Sequence, residues 1–232
     1  MYSRRTFFAS AAAVSVAATT ANAQDACSVF TSARQKAITP AQALALLKDG
    51  NERFMAGKLV NCDPMVQVKA TGAGQAPFAV VVGCIDSRVT PELLFDRNIG
   101  DMFAARVAGN FVNDDIIGSL EFATKVAGAK VVVVLGHTEC GAIKGAIDGA
   151  KLGRLTKMLE NFKPAIDASK HIEGDKTSKN SKLVQNVAEA NAILAAKRLS
   201  SRSDVMREMV MNRQLVIVAA MHDISTGKVT FL

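Results

Sequence analysis

The sequence predicts an α/β fold in which a mainly parallel central β-sheet is flanked by helices. Two observations carry this reading. The runs Phe78-Ala79-Val80-Val81-Val82-Gly83 and Lys130-Val131-Val132-Val133-Val134-Leu135 are almost continuously apolar and rich in β-branched residues. Strands buried on both faces look like this, whereas half-exposed strands alternate. Helix-forming segments lie between these and the other strand candidates, and such alternation implies parallel crossovers with helices on both faces. Of the 232 residues, 49% are hydrophobic and 21% charged, enough to build one large domain around a substantial core.

Residues 1–23 read as a signal peptide and not as part of the fold. Met1-Tyr2-Ser3-Arg4-Arg5-Thr6 is a basic start, Phe7 to Ala18 is mildly apolar, and Ala21-Asn22-Ala23 supplies a small-x-small cleavage pattern before Gln24. Ser3-Arg4-Arg5-Thr6-Phe7-Phe8 is similar to a twin-arginine signal, the route that exports folded proteins, so a periplasmic or otherwise exported location is expected. The apolar run is too short to cross a bilayer as a stable helix, so no stable membrane anchor is expected.

Residues 24–232 are expected to form a single domain with an N-terminal helical arm. Thr39-Pro40 is a cap and first-turn pair for a helix over the run AQALALLKDGNERFMAG. FAVVVG is the first strand, Pro91 opens a short helix (PELLFDRN), and Met102 to Val107 forms a second strand. Asn113-Asp114 caps a helix to about Ala127, KVVVVL is the next strand, and a helix follows from about Cys140 to Gly149. Further helices flank the polar stretch GDKTSKNS. The chain then closes as strand, turn at Thr226-Gly227, and strand. The formal charge of +7 could invite an anionic partner. However, the densest basic region, Lys163 to Lys182, is interleaved with Asp, Glu and Ser and reads as a solvated face. No motif for nucleic-acid recognition accompanies it, so no nucleic-acid partner is expected.

The chemistry lies just past the two continuous strands. The first runs into Cys84-Ile85-Asp86-Ser87-Arg88 and the second into His137-Thr138-Glu139-Cys140. Ligands gather beyond the carboxyl ends of strands in open parallel sheets. His137 and Cys140, three apart, are expected to share a face of a first helical turn, where the exposed amides favour a thiolate. Gly136 and Gly141 leave room for close approach of the backbone. Cys84 and Asp86, two apart on an extended segment, point the same way. Two thiolates, an imidazole and a carboxylate fit tetrahedral zinc with an oxygen in the replaceable position. Arg88 can hold the Asp86 carboxylate through a bidentate pair. Taken singly, a buried Cys or a His-x-x-Cys is weak evidence; the shared position after neighbouring strands carries the reading.

Cys-x-Asp-x-Arg followed some fifty residues later by His-x-x-Cys resembles the β-class carbonic anhydrases. Asn51-Glu52-Arg53-Phe54, Asp86-Ser87-Arg88-Val89, Gly100-Asp101-Met102-Phe103, Gly118-Ser119-Leu120-Glu121 and Gly136-His137 resemble that family at matching intervals, from about Pro40 to the C-terminus. The resemblance implies a β-carbonic anhydrase-like sheet and zinc-dependent, reversible hydration of CO2 to bicarbonate and a proton by attack of zinc-bound hydroxide. It makes Cys84, His137 and Cys140 the zinc ligands and Asp86 and Arg88 the catalytic pair. Asp86 orients the zinc-bound water, and Arg88 keeps Asp86 ionised and off the metal.

In some members the equivalent Asp rests on zinc in a closed state, governed by a bicarbonate pocket containing Trp and Tyr. This chain has no Trp and its single tyrosine is Tyr2, so an open site is expected. Gln67 and Gly141 are the candidates for contacting substrate, with Gln75 competing for the glutamine role. His222 is either a proton shuttle or a structural histidine, and His171 has no assigned role. A homodimer, or a tetramer of dimers, is implied. Cys27 and Cys62 lie outside the motif; in an exported chain they are candidates for a disulfide, with two free thiols as the alternative.

Other functions compete with this reading. They are the same fold acting on a sulfur analogue such as carbon disulfide, a non-catalytic zinc-binding protein, and a thiol redox protein using Cys84 and Cys140. The last lacks a Cys-x-x-Cys pair. Two thiolates neutralise a zinc dication, which should then acidify its water less than an all-histidine site would. Hydration activity is therefore expected to climb on the alkaline side of neutrality. A flat pH profile of the wild-type protein would contradict this.

Overall fold

The computed structural model describes residues 27–232, so the expected signal peptide lies outside the described residues. Five strands, β1 (Ala79–Gly83), β2 (Met102–Arg106), β3 (Val131–His137), β4 (Val216–His222) and β5 (Val229–Phe231), form one sheet in the order β2-β1-β3-β4-β5. The first four are parallel, and β5 returns antiparallel to β4. The reversal uses Gly227 in the left-handed region (φ 77°), with its N–H donating to the Asp223 carbonyl at 2.8 Å.

Every residue of β1 and β3 is buried, and alternate residues face opposite layers. Val80, Val82, Val132 and Val134 pack into one core cluster with Leu120, Ile143, Phe162, Val187 and Leu199. Ala79, Val81, Val131, Val133 and Leu135 pack into the other with Ala43, Leu47, Phe78 and Phe95. Each valine or leucine removed from water in this way contributes about 1.5–3 kcal/mol. The expected two-sided burial is therefore the physical basis of the sheet.

The helices are α1 (Ser32–Ala37), α2 (Pro40–Met55), α3 (Pro64–Thr71), α4 (Pro91–Leu94), α5 (Asp114–Glu121), α6 (Gly141–Ile147), α7 (Gly153–Leu159), α8 (Lys163–Ala168), α9 (Ser181–Arg202) and α10 (Asp204–Met211). A π-helical turn, Phe122–Val126, continues α5 to the expected end near Ala127. Thr39 caps α2 through a reciprocal box: Gln42 N–H donates to Thr39 Oγ1 (3.2 Å) and Thr39 N–H to Gln42 Oε1 (2.8 Å). The Asn113 side chain caps α5 by accepting from Ile116 N–H at 3.0 Å.

Three details differ from expectation. Helices α1 and α3 were not anticipated. Both are short and start on local caps, Thr31 and Asp63-Pro64, and neither carries a long apolar stripe. The helix expected over PELLFDRN stops at Leu94. Asp96 instead adopts φ 46°, and its carboxylate accepts from Arg53 Nε (2.5 Å) and Val60 N–H (3.1 Å), so tertiary bonds override the local helical tendency.

Asn51, from the quoted Asn51-Glu52-Arg53-Phe54 stretch, joins three parts of the molecule. It is buried on α2 and donates from Nδ2 to the carbonyls of Leu94 (3.1 Å) and Gly227 (2.9 Å), while Oδ1 accepts from Val229 N–H (2.8 Å). Leu94 and Val229 are buried, and each of these two partners left unsatisfied costs about 1–3 kcal/mol, so Asn51→Ala is expected to lower the unfolding free energy by about 2 kcal/mol or more. Urea unfolding followed by circular dichroism reads this directly, and a loss below about 1 kcal/mol would show that the amide is dispensable.

Candidate metal centre

Strands β1 and β3 are hydrogen-bonded neighbours, so their carboxyl ends emerge side by side. Cys84 follows β1 directly, and His137 is the last residue of β3. The expectation that His137 and Cys140 share a helical face does not hold. His137 ends a strand, and Cys140 is the residue that caps α6. They converge because the intervening turn is tight: Glu139 takes φ 58°, and Thr138 N–H donates to the His222 carbonyl at 2.9 Å. The ligand atoms of Cys84, His137 and Cys140 lie within 4.8 Å of one another, and all three residues are buried.

The donor atoms fit a cation. His137 Nδ1 lies 2.8 Å from the Thr138 carbonyl, which can only accept, so the proton sits on Nδ1. This leaves the Nε2 lone pair buried without a hydrogen-bond partner, although buried polar atoms are nearly always satisfied. Gly109 N–H donates to Cys84 Sγ at 3.2 Å. Gly109 adopts φ 75°, and a Cβ there would stand 2.4 Å from the Phe162 ring, so a side chain at this position could not pass. The Asn191 amide holds the same turn by donating to the Gly109 carbonyl at 2.9 Å.

The hydrogen bond from Cys140, above all, draws the Cys84 thiol down to about 4 against the opposing effect of burial. The same contact, together with burial, pushes the Cys140 thiol up. Two thiolates this close repel, so the second ionises readily only beside a positive charge. One imidazole nitrogen and two sulfurs suit tetrahedral zinc with one position left for another ligand.

Asp86 lies outside this three-residue group. Its Oδ1 accepts from Arg88 Nε (2.9 Å) and Arg88 N–H (3.0 Å), and its Oδ2 from Arg88 Nη2 (2.7 Å). The Arg88 guanidinium is the main cause that holds the Asp86 carboxyl well below the usual carboxylate range. Ile85, between Cys84 and Asp86, is 60% exposed.

The remaining candidates fall as follows. Gln67 is buried on α3, with Nε2 donating to Asn98 Oδ1 (2.8 Å) and Oε1 accepting from Ile99 N–H (2.9 Å). Its described hydrogen bonds therefore run to the loop before β2 and not to the ligand cluster, and Gln75 is exposed. Gly141 opens α6 on the exposed side, with nothing within 4 Å of where a Cβ would stand. His222 pairs in register with His137 across β3 and β4. Burial, above all, lowers its imidazole to about 4. This geometry suits the structural reading of His222. His171 is exposed, with Nδ1 3.1 Å from the Ala168 carbonyl. Cys27 and Cys62 are joined by a disulfide that ties the start of the described chain to the segment before α3. Sequence reasoning missed Arg106, Gly109 and the Thr138 carbonyl. Of these only Arg106 left a trace, as a charged residue near the end of a strand candidate.

A family model described as carbonic anhydrase matches residues 79–229. The chain is 36% identical over 196 residues to carbonic anhydrase 2 of Mycobacterium tuberculosis, covering 82% of this chain and 91% of that protein. It is 42% identical over 133 residues to a carbonic anhydrase of Mycolicibacterium smegmatis, covering 55% and 65% of the two chains. A β-carbonic anhydrase structure from Aspergillus fumigatus superposes with a TM-score of 0.65 at 25% identity, covering 83% of this chain and 89% of that one. Aligned over most of its length with proteins of that name, and folded like β-class representatives, this chain belongs to the β-class carbonic anhydrase family.

Proposed function

We propose that this chain catalyses the reversible hydration of CO2 to bicarbonate and a proton, with zinc held by Cys84, His137 and Cys140. One observation carries the reading: a buried Cys-His-Cys donor set stands beside a carboxylate locked in place by a bidentate guanidinium. A purely structural zinc site needs no such pair. Zinc in this setting supplies the Lewis acidity that makes water a nucleophile near neutral pH.

The chain's own residues do the rest. The Thr138 carbonyl fixes the His137 ring and directs Nε2 toward the two sulfurs, and Gly109 N–H steadies Cys84. Asp86, kept ionised, is a fixed hydrogen-bond acceptor that orients the lone pair of the attacking water toward CO2. Arg88 occupies both oxygens of Asp86 and keeps them from turning into the ligand cluster. His222, buried and in register with His137, has the place of a structural histidine.

The same proposal covers where the protein acts and how it assembles. Export by the twin-arginine route would bring Cys84 and Cys140 into an oxidising compartment already folded around their metal. The twin-arginine-like start and the Cys27–Cys62 disulfide support that location. A homodimer or tetramer is favoured by the position of β2, which is an edge of the sheet among the described residues. Phe103, Ala105 and Phe122 line a cleft of about 570 Å³ there, and Phe122 is 55% exposed. A structurally similar protein from Sordaria macrospora, TM-score 0.61 at 27% identity over 69% of this chain and 83% of that one, is described as a tetrameric β-carbonic anhydrase.

Stopped-flow CO2 hydration by the zinc-loaded protein, from Gln24 onward, tests the proposal beside Asp86→Asn. Losing an outer-shell carboxylate of this kind typically costs about 10–100-fold, so the variant should fall by that factor while keeping its zinc. Zinc-loaded wild type no faster than buffer would sink the CO2 reading and leave sulfur analogues such as carbon disulfide to be tried.

A further inference from the structure

Arg106 closes β2 and pairs in register with Gly83, the last residue of β1. Past Gly83 the regular ladder stops, and the segment carrying Cys84, Ile85 and Asp86 leaves the sheet. Val107 N–H still reaches the Gly83 carbonyl at 3.0 Å. Beyond it the Arg106 side chain takes over: Nε donates to the Cys84 carbonyl at 2.8 Å, and Nη2 donates to the Asp86 carbonyl at 2.7 Å. One planar group thus spans the backbone of the first sulfur ligand and that of the carboxylate. We infer that Arg106 is a positioning residue that fixes the spacing between Cys84 and Asp86.

The chemistry favours arginine for this task. The two donors sit in a rigid fork, so holding one carbonyl fixes the place of the other. An ammonium carries the same charge but offers a single nitrogen on a flexible stem. Arg106 also differs in kind from Arg88, which binds the Asp86 carboxylate and leaves the backbone path to other groups. Ile85 is 60% exposed and so packs little against the fold, and the Asp86 carbonyl accepts a further bond only from within its own turn, Val89 N–H at 3.0 Å, which does not tie the segment to β2. Small displacements of a reacting group are costly; about 1 Å can lose 100-fold in rate. Arg106 is itself exposed on the edge strand, so its replacement opens no cavity in the core.

The kinetic part of this inference rests on the proposed CO2 hydration, and the metal-binding part does not. Two measurements on Arg106→Ala and Arg106→Lys in the full mature protein therefore decide it. In chelator competition, zinc affinity of Arg106→Ala should weaken about tenfold, because the carbonyl behind Cys84 loses its anchor. In stopped flow at saturating zinc, kcat of Arg106→Ala should fall about 10–100-fold with KM changed less than about threefold, the signature of a misplaced group and not of lost substrate binding. Added methylguanidinium should restore part of the rate to Arg106→Ala, and Arg106→Lys should remain impaired despite its charge. The inference is overturned if Arg106→Ala matches wild type in both zinc affinity and kcat, if its full rate returns on saturation with zinc, or if Arg106→Lys is fully active. Should wild type itself fail to hydrate CO2, the function reading falls, and the zinc affinities still decide the role of Arg106.

Discussion

Two adjacent parallel strands, each buried along its whole length, end side by side in this protein, and the candidate site depends on that pairing. The register from Ala79↔Val131 to Val82↔Val134 fixes where β1 stops relative to β3. A slip of one residue would turn every side chain of a strand to the opposite layer. The valines that make such a slip expensive are therefore also what brings Cys84 to His137. Core packing and site geometry are one constraint, stated once in apolar residues and once in polar ones.

Around that convergence, most buried polar atoms are matched, Asn110 Nδ2 and His222 Nδ1 being exceptions. The His137 Nδ1 proton goes to the Thr138 carbonyl, a Cys84 lone pair to Gly109 N–H, and the Gly109 carbonyl to Asn191. His137 Nε2 also has no hydrogen-bond partner, and of these three atoms it is the one in a residue grouped with two sulfurs. In an interior where unmet polar groups are costly, a leftover lone pair beside two ionisable thiols is the clearest physical sign of an intended cation. The carboxylate is handled differently. Asp86 stays at the rim, fully engaged by Arg88, and so retains its charge without joining the cluster.

Much of this was legible in the sequence because it is encoded in unbroken patterns. FAVVVG and KVVVVL announce two-sided burial, and the residues just after them must lie together if the strands are neighbours. Capping chemistry was equally readable at Thr39-Pro40 and Asn113-Asp114. What sequence reasoning missed was set by tertiary contacts. The path from His137 to Cys140 depends on a left-handed Glu139, which no helical spacing rule anticipates. The chain after Leu94 is bent by Asp96 reaching back to Arg53 and Val60. The hydrogen bonds of Gln67 to the Asn98–Ile99 loop, and those of Arg106 to the Cys84–Asp86 backbone, join residues more than 19 positions apart and leave no periodic trace.

The central claim is that one zinc ion is held by two sulfurs and one imidazole at the ends of β1 and β3. X-ray absorption at the zinc edge of the purified protein tests it most directly. The account predicts two sulfur scatterers at about 2.3 Å and nitrogen or oxygen scatterers at about 2.0–2.1 Å completing four-coordination. A spectrum without sulfur, or a protein that retains no zinc, would contradict it.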